Sequence, residues 1–202
     1  DGYVQSILEI EKVNYTHSGV LSSSLAMDKD LSKRIFIKNK ILTPKYKKFS
    51  FKKILNQKSF LKLINSKFGF PVVVKPINEG SSVNVFICNR KNIFSNIKKL
   101  REYGEILIEK YIPGREIQVA ILREKILGAI ELKPKRKFYD YQAKYNPEAK
   151  TEHIIPVRIT NSQYKRVTKI ALKSHKLLKC RGVSRSDFRF YKNKFYLLET
   201  NT

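Results

Sequence analysis

Apolar positions along this chain switch between helical and strand spacing, and the switches set out its elements. Ile7, Leu8 and Ile10 predict a short helix over 7–13. The small residues of THSGVLSSSLAMDKD give way to a predicted helix near 27–39, with Asp28 or Ser24 as its cap. ILTPKYKKFSF reads as extended, because Pro44 disfavours a helical Thr43. Phe60, Leu61, Leu63 and Ile64 predict another short helix.

Beyond residue 70, strand spacing takes over. VVVKPINEGSSVNVF, from Val72 to Phe86, reads as strand–turn–strand. Phe94, Ile97 and Leu100 fit a helix with one buried stripe. ILIEKYI, EIQVAILR and KILGAIELK read as three strands, with turns at Pro113-Gly114 and Arg123-Glu124. The polar, tyrosine-rich run KRKFYDYQAKYNPEAKTE has no period and reads as a long functional loop. Val167, Ile170, Ala171, Leu177 and Leu178 mark an amphipathic helix. GVSRSDFRFY and KFYLLETNT close the chain as alternating strands joined at Lys192-Asn193. The expected class is mixed α+β, antiparallel towards the C-terminal end, without internal repeats.

Three places carry candidate chemistry. Lys75 follows a run apolar on both faces, so it needs a partner or a route to solvent. The Gly-Ser-Ser turn behind it can bring backbone N–H groups to an oxyanion. In the last hairpin, Glu199 and Asn201 lie two apart and share a face, and a facing Asp187 would complete an all-oxygen set suited to Mg²⁺. Arg185 shares the Asp187 face. In EKYIPGRE, Glu109 and Glu116 bracket a turn where a strand edge could meet a base and a carboxylate a ribose. Taken singly, each place also fits an ordinary structural role: a connecting turn, exposed hairpin charges, a salt-bridged hairpin.

Composition narrows the picture. A chain of 202 residues with 42% hydrophobic content can hold one sizeable core or two small lobes. No segment has the apolar length to span a bilayer, and DGYVQSILEIEK does not read as a secretory signal. Cys88 and Cys180 lie far apart and suggest neither a disulfide framework nor a metal cluster, which points to a reducing, cytoplasmic setting. The net charge of +25 draws attention to nucleic acid. The lysines, however, are spread over nearly every segment, and no zinc finger or RNP-type motif is visible, so the charge reads mostly as a solvated surface. His17, His153 and His175 share no ligand spacing and read as surface or loop residues; Cys180 reads as small packing at a helix end.

The segments HSGVLSSSLAMDKDLSK, FPVVVKPINEGSSV, LIEKYIPGREIQVAIL, FYDYQAKYNPEAKTEHIIP, CRGVSRSDFRF and FYLLETNT, in this order, resemble the D-alanine–D-alanine ligases of the ATP-grasp superfamily. The resemblance implies an ATP-grasp fold of two α+β subdomains gripping ATP. Residues 1–27 would be a remnant of an N-terminal lobe, 28–112 the small subdomain and 113–202 the large one, with a closing loop at 134–151. The chain opens inside what resembles the family's Gly-Glu-Asp-Gly segment and ends before its Ser-Pro-Gly-Met-Thr-type segment, so that lobe is expected to be largely absent. Asn84 and Ser184 stand where the family usually has glycine.

The resemblance also implies roles. Lys29 and Lys75 would contact ATP phosphates, with the turn through Ser82 folding over them. Glu109, Lys110 and Ile112 would hold adenine, and Glu116 ribose. Lys144 and Tyr145 would close over the γ-phosphate and substrate. Ser81 and Tyr145 would orient the first D-alanine, Arg185 would stabilise an oxyanion, and Asp187, Glu199 and Asn201 would bind two Mg²⁺ or Mn²⁺ ions. The implied reaction joins two D-alanines through an acyl phosphate, supplying D-alanyl-D-alanine for peptidoglycan, in a full-length protein that is homodimeric and not membrane-bound. The alternatives are another ATP-grasp carboxylate–amine ligase or a basic nucleic-acid-binding module.

Overall fold

Two antiparallel sheets, each backed by helices, organise the residues described by the computed structural model, namely 1–51, 54, 56–134 and 151–202. They belong to separate units: Pro44–Ile112, and Asp1–Thr43 together with Pro113–Thr202. Among the described residues no helix is long and apolar enough to cross a membrane.

The Pro44–Ile112 unit contains β1 (Tyr46–Ser50), a helix Gln57–Phe68, β2 (Val72–Pro76), β3 (Phe86–Cys88), a helix Ile93–Lys99 and β4 (Glu105–Lys110), with sheet order β1-β4-β2-β3. Val72 and Val74 on β2, with Ile106 and Ile108 on β4, face one way and share a core with Phe60, Ile64, Ile93 and Ile97 of the two helices. The intervening positions, Val73, Lys75, Leu107 and Glu109, therefore face the other way. The expected strand–turn–strand and both expected helices are present.

The larger unit opens with α1 (Tyr3–Ile10), α2 (Val20–Met27) and α3 (Lys29–Lys38). The Gln57–Phe68 and Ile93–Lys99 helices are α4 and α5. The larger unit continues with β5 (Arg115–Leu122), β6 (Lys125–Lys133), β7 (Glu152–Ile154), α6 (Asn161–Leu177), β8 (Val183–Tyr191) and β9 (Lys194–Asn201), in sheet order β7-β6-β5-β8-β9. Ile117, Val119, Ile121, Phe188, Phe195 and Leu197 on this sheet pack with Val167 and Ala171 of α6 and with Phe36 and Ile41.

The first predicted helix lies earlier than expected, ending at Ile10 before Lys12 turns left-handed at φ 56°. The helix expected near 27–39 is α3, where Asp28 adopts an extended backbone and its carboxylate accepts the Asp30 and Leu31 N–H groups at 2.8 and 2.9 Å; α2, in the small-residue run before it, was not expected. Asp28 is thus the cap, and Ser24 lies inside α2. The short strand β7 sits in what was read as the end of a loop. Phe36 and Ile41 bury in the α6 core, and residues 1–43 group with 113–202. Residues 135–150, most of the predicted closing loop, lie outside the described residues.

His175 corrects another expectation. It is 2% exposed on α6, and its Nδ1 lies 2.7 Å from Ser184 Oγ on β8. Burial, the largest influence, pushes its pKa below the ordinary histidine value. The unfolded chain therefore binds a proton below about pH 6.5 that the folded one resists, so stability is full above that pH and is lost as pH falls. Chemical denaturation from about pH 7.5 to about pH 5.5 is expected to show a steeper loss of stability for the parent than for His175→Asn, whose amide can replace the Nδ1 contact but not titrate.

Candidate functional site

In the Pro44–Ile112 unit, Lys75 finds the partner its position requires. Its Nζ lies 2.6 Å from Glu109 Oε1, with the two residues 6% and 3% exposed. Antiparallel pairing sets Glu109 opposite Val73 and Lys75 opposite Leu107, so the ion pair runs diagonally across one face. The turn after Lys75 carries Ser81 and Ser82 at φ 52° and 61° as its central residues, and the Val83 N–H closes it by donating to Gly80 O at 3.0 Å. At the far end of β4, the Lys110 N–H donates to Lys45 O at 2.8 Å, which leaves the Lys110 carbonyl, not its N–H, as the group that could meet a base. Ile112 is buried at the unit's last position.

In the larger unit, the face of the five-stranded sheet turned away from α6 gathers the predicted polar residues. Arg185 pairs with Asn201 and Asp187 with Glu199 across β8 and β9, so all four share that face. Strict alternation would not have put Glu199 there. Phe195 and Leu197 face the core, and Glu199, two further on, would follow them. A one-residue bulge intervenes: Phe188 pairs with Leu197 but Asp187 with Glu199, and Leu198 is the extra residue. The shift sends Thr200 inward, where its hydroxyl lies 3.1 Å from those of Ser186 and Ser174.

Arg185 grips Asp187 through Nε–Oδ1 at 2.8 Å and Nη2–Oδ2 at 3.0 Å, and Asn201 Nδ2 donates to Asp187 Oδ2 at 3.2 Å. Lys29, first residue of α3, points Nζ at Glu199 Oε2, 4.0 Å away. On β5, Glu116 lies opposite Arg189, with Arg189 Nη2 3.5 Å from Glu116 Oε2. Gln118, 8% exposed, lies opposite Asp187. Sequence reading missed Gln118 and Arg189, although the spacing of Glu116 and Gln118 by two residues in a strand was a usable signal. Lys144 and Tyr145 lie outside the described residues.

The donor chemistry suits a hard cation. Asp187 and Glu199 offer carboxylate oxygens, and a half-turn of the Asn201 amide would present Oδ1 in place of Nδ2. Among the described residues no group of three or more His, Cys, Asp and Glu side chains could hold a metal, so any cation here depends on the amide as third donor.

The architecture is that of the ATP-grasp ligases. The chain superposes with a TM-score of 0.84 and 36% identity on a D-alanine–D-alanine ligase from Bacillus anthracis, covering 100% of this chain and 65% of that one. The ligase from that organism complexed with ATP gives 0.80 at 32% identity, with 63% of its chain covered, and the VanG D-Ala:D-Ser ligase of Enterococcus faecalis gives 0.83 at 28%, with 60% covered. The family model described as the D-Ala–D-Ala ligase C-terminus matches residues 35–202, and the chain belongs to that family. It is 62% identical over 202 residues to the D-alanine–D-alanine ligase of Pelagibacter ubique strain HTCC1062 and 41% identical over 206 to that of Wolbachia pipientis wMel. All of this chain is covered in both, with 66% and 63% of the relatives, so it spans just under two thirds of their length.

The buried Lys75–Glu109 pair yields a direct test. Removing one partner leaves an uncompensated charge, which costs on the order of 3–5 kcal/mol, whereas replacing both by apolar residues is often neutral. Glu109→Gln is expected to lower the denaturation midpoint sharply, and Lys75→Met combined with Glu109→Leu to recover most of the loss.

Proposed function

We propose that this chain is the nucleotide-binding and metal-binding part of an ATP-dependent D-alanine–D-alanine ligase, which joins two D-alanines for peptidoglycan in the cytoplasm. The observation that carries the reading is the convergence of Asp187, Glu199 and Asn201 beside Arg185 on one sheet face. A carboxylate is a poor electrophile, and phosphorylation by ATP turns it into an acyl phosphate that an amine can attack.

Each residue has a part in that chemistry. Lys75 and Lys29 hold phosphate oxygens, Lys75 while keeping Glu109 through another of its three N–H donors and Lys29 in exchange for Glu199. The Ser81–Ser82 turn offers backbone N–H groups to phosphate, and Ser81 orients the first D-alanine. The Lys110 carbonyl and the Ile112 segment receive adenine, and Glu116 accepts from ribose hydroxyls. Asp187, Glu199 and Asn201 hold Mg²⁺ or Mn²⁺, which neutralises phosphate charge when bound. Arg185, positioned through both Asp187 oxygens, offers its guanidinium to the oxyanion formed as the second amine attacks. Lys144 and Tyr145 shield the acyl phosphate from water.

Calorimetric titration with ATP and Mg²⁺ is expected to show binding by the parent and none detectable by Asp187→Ala. In the complete polypeptide, adding D-alanine is expected to release phosphate from ATP, and Arg185→Ala to lower kcat by about 10²- to 10³-fold. Absence of Mg²⁺-dependent ATP binding, together with duplex binding that weakens steeply with salt, would replace the ligase reading by the nucleic-acid one.

A further inference from the structure

The serine turn must keep two residues in a conformation that L-amino acids with a Cβ avoid, and something has to hold it there. Ser81, Ser82 and Asn84 all have positive φ, at 52°, 61° and 55°. Each such residue is disfavoured relative to the right-handed region, so the turn is biased to relax unless contacts oppose it. Asparagine tolerates this region best among residues with a side chain, which makes position 84 the least strained of the three.

The Asn84 side chain also leaves the turn. Its Nδ2 donates to Tyr103 Oη at 3.0 Å, nineteen residues away within the same unit. Tyr103 stands on firm ground. It ends the 3-10 turn Arg101–Tyr103, its N–H donates to the carbonyl of fully buried Leu100, and Gly104 at φ 67° turns the chain directly into β4. On the other side, Asn84 is two residues before Phe86, which pairs with Val74 and fixes the base of the turn in the sheet. The hydrogen bond therefore joins the serine turn to the start of the strand that carries Glu109, the partner of Lys75.

We propose that Asn84 and Tyr103 are positioning residues: their hydrogen bond latches the Ser81–Ser82 turn in its left-handed form and so prepares its backbone N–H groups for the phosphates of ATP. Neither side chain touches the nucleotide in this scheme; both act through the turn. The inference rests on the ligase reading for its ligand, but the latch itself is a property of the turn.

The test compares the complete polypeptide with Tyr103→Phe, Asn84→Ala, the double variant, and Asn84→Asp, whose carboxylate can accept from the tyrosine hydroxyl. Amide hydrogen exchange over residues 79–85, measured without nucleotide, is expected to quicken about three- to tenfold in Tyr103→Phe and Asn84→Ala, as for loss of one hydrogen bond. The double variant is expected to be no faster than the faster single one, and Asn84→Asp to stay near the parent. The KM for ATP in phosphate release is expected to rise about three- to tenfold in Tyr103→Phe with kcat changed less than about twofold, a split that general destabilisation would not produce. Unchanged exchange in Tyr103→Phe, or additive effects in the double variant, would overturn the latch. A parent that binds no ATP overturns the ligase reading alone, because turn exchange is read without nucleotide.

Discussion

The predicted cation site depends on a single extra residue in β9. An antiparallel strand alternates its side chains without exception unless a bulge intervenes, and Phe195 and Leu197 commit β9 to the core. Continuing that phase would bury Glu199 and Asn201 against α6 and expose Thr200. Leu198 absorbs the slip, and the pattern resumes with Glu199 opposite Asp187. Both faces profit. Outside, two carboxylates and an amide gather. Inside, the buried hydroxyls of Thr200, Ser186 and Ser174 lie 3.0–3.1 Å from one another, and Ser174 also donates to Ala171 O at 2.9 Å. His175 and Ser184 extend the same polar seam. The small polar side chains at 184 and 186 are thus the inner-face counterparts of Arg185 and Asp187, and one strand serves a core and a site at once.

The same division by face explains how much could be read from sequence. The strand–turn–strand at 72–86 and the last hairpin were legible because apolar alternation and turn residues agree there. Glu199 and Asn201 share a face as their spacing suggests, because the bulge at Leu198 falls before both. Which face they share was not legible: a bulge changes no composition, and its trace is only the doubled leucine at 197–198. His175 looked like a surface residue because its partner, Ser184, is nine residues away on another element. The helix α2 was not expected because the serines of VLSSSLAM compete with the backbone and favour caps and turns over a helix interior. That Phe36 and Ile41 bury against α6, far along the chain, was likewise not legible, because tertiary packing decides it and sequence order does not.

Charge is handled by pairs. Lys75 with Glu109, Lys29 with Glu199, Arg185 with Asp187 and Arg189 with Glu116 are four ion pairs, and in each at least one member is a predicted site residue. Most of these side chains are too buried to depend on water for solvation. An unpaired charge at such depth costs several kcal/mol, so the pairing is a condition of folding before it is a feature of function. It also distinguishes these residues from the bulk of the net charge of +25, which lies on solvated lysines such as those along α6, a helix without a single acid.

The pairing has a consequence for how such a face would accept a nucleotide and a cation. A phosphate approaching Lys29 meets a lysine already desolvated and already turned towards an anion, so the exchange replaces one oxygen partner by another. The carboxylate released from Lys29 is Glu199, a predicted cation ligand, and its negative charge would be taken up by the metal. On the larger unit's face, phosphate and cation binding would therefore be mutually reinforcing: each takes the partner that the other leaves. A lone lysine or a lone carboxylate at the same positions would gain no such coupling, and would carry the cost of burial by itself. Asp187 and Glu199 belong both to the ion pairs and to the predicted ligand set because the same physical requirement, compensation of buried charge, selects both.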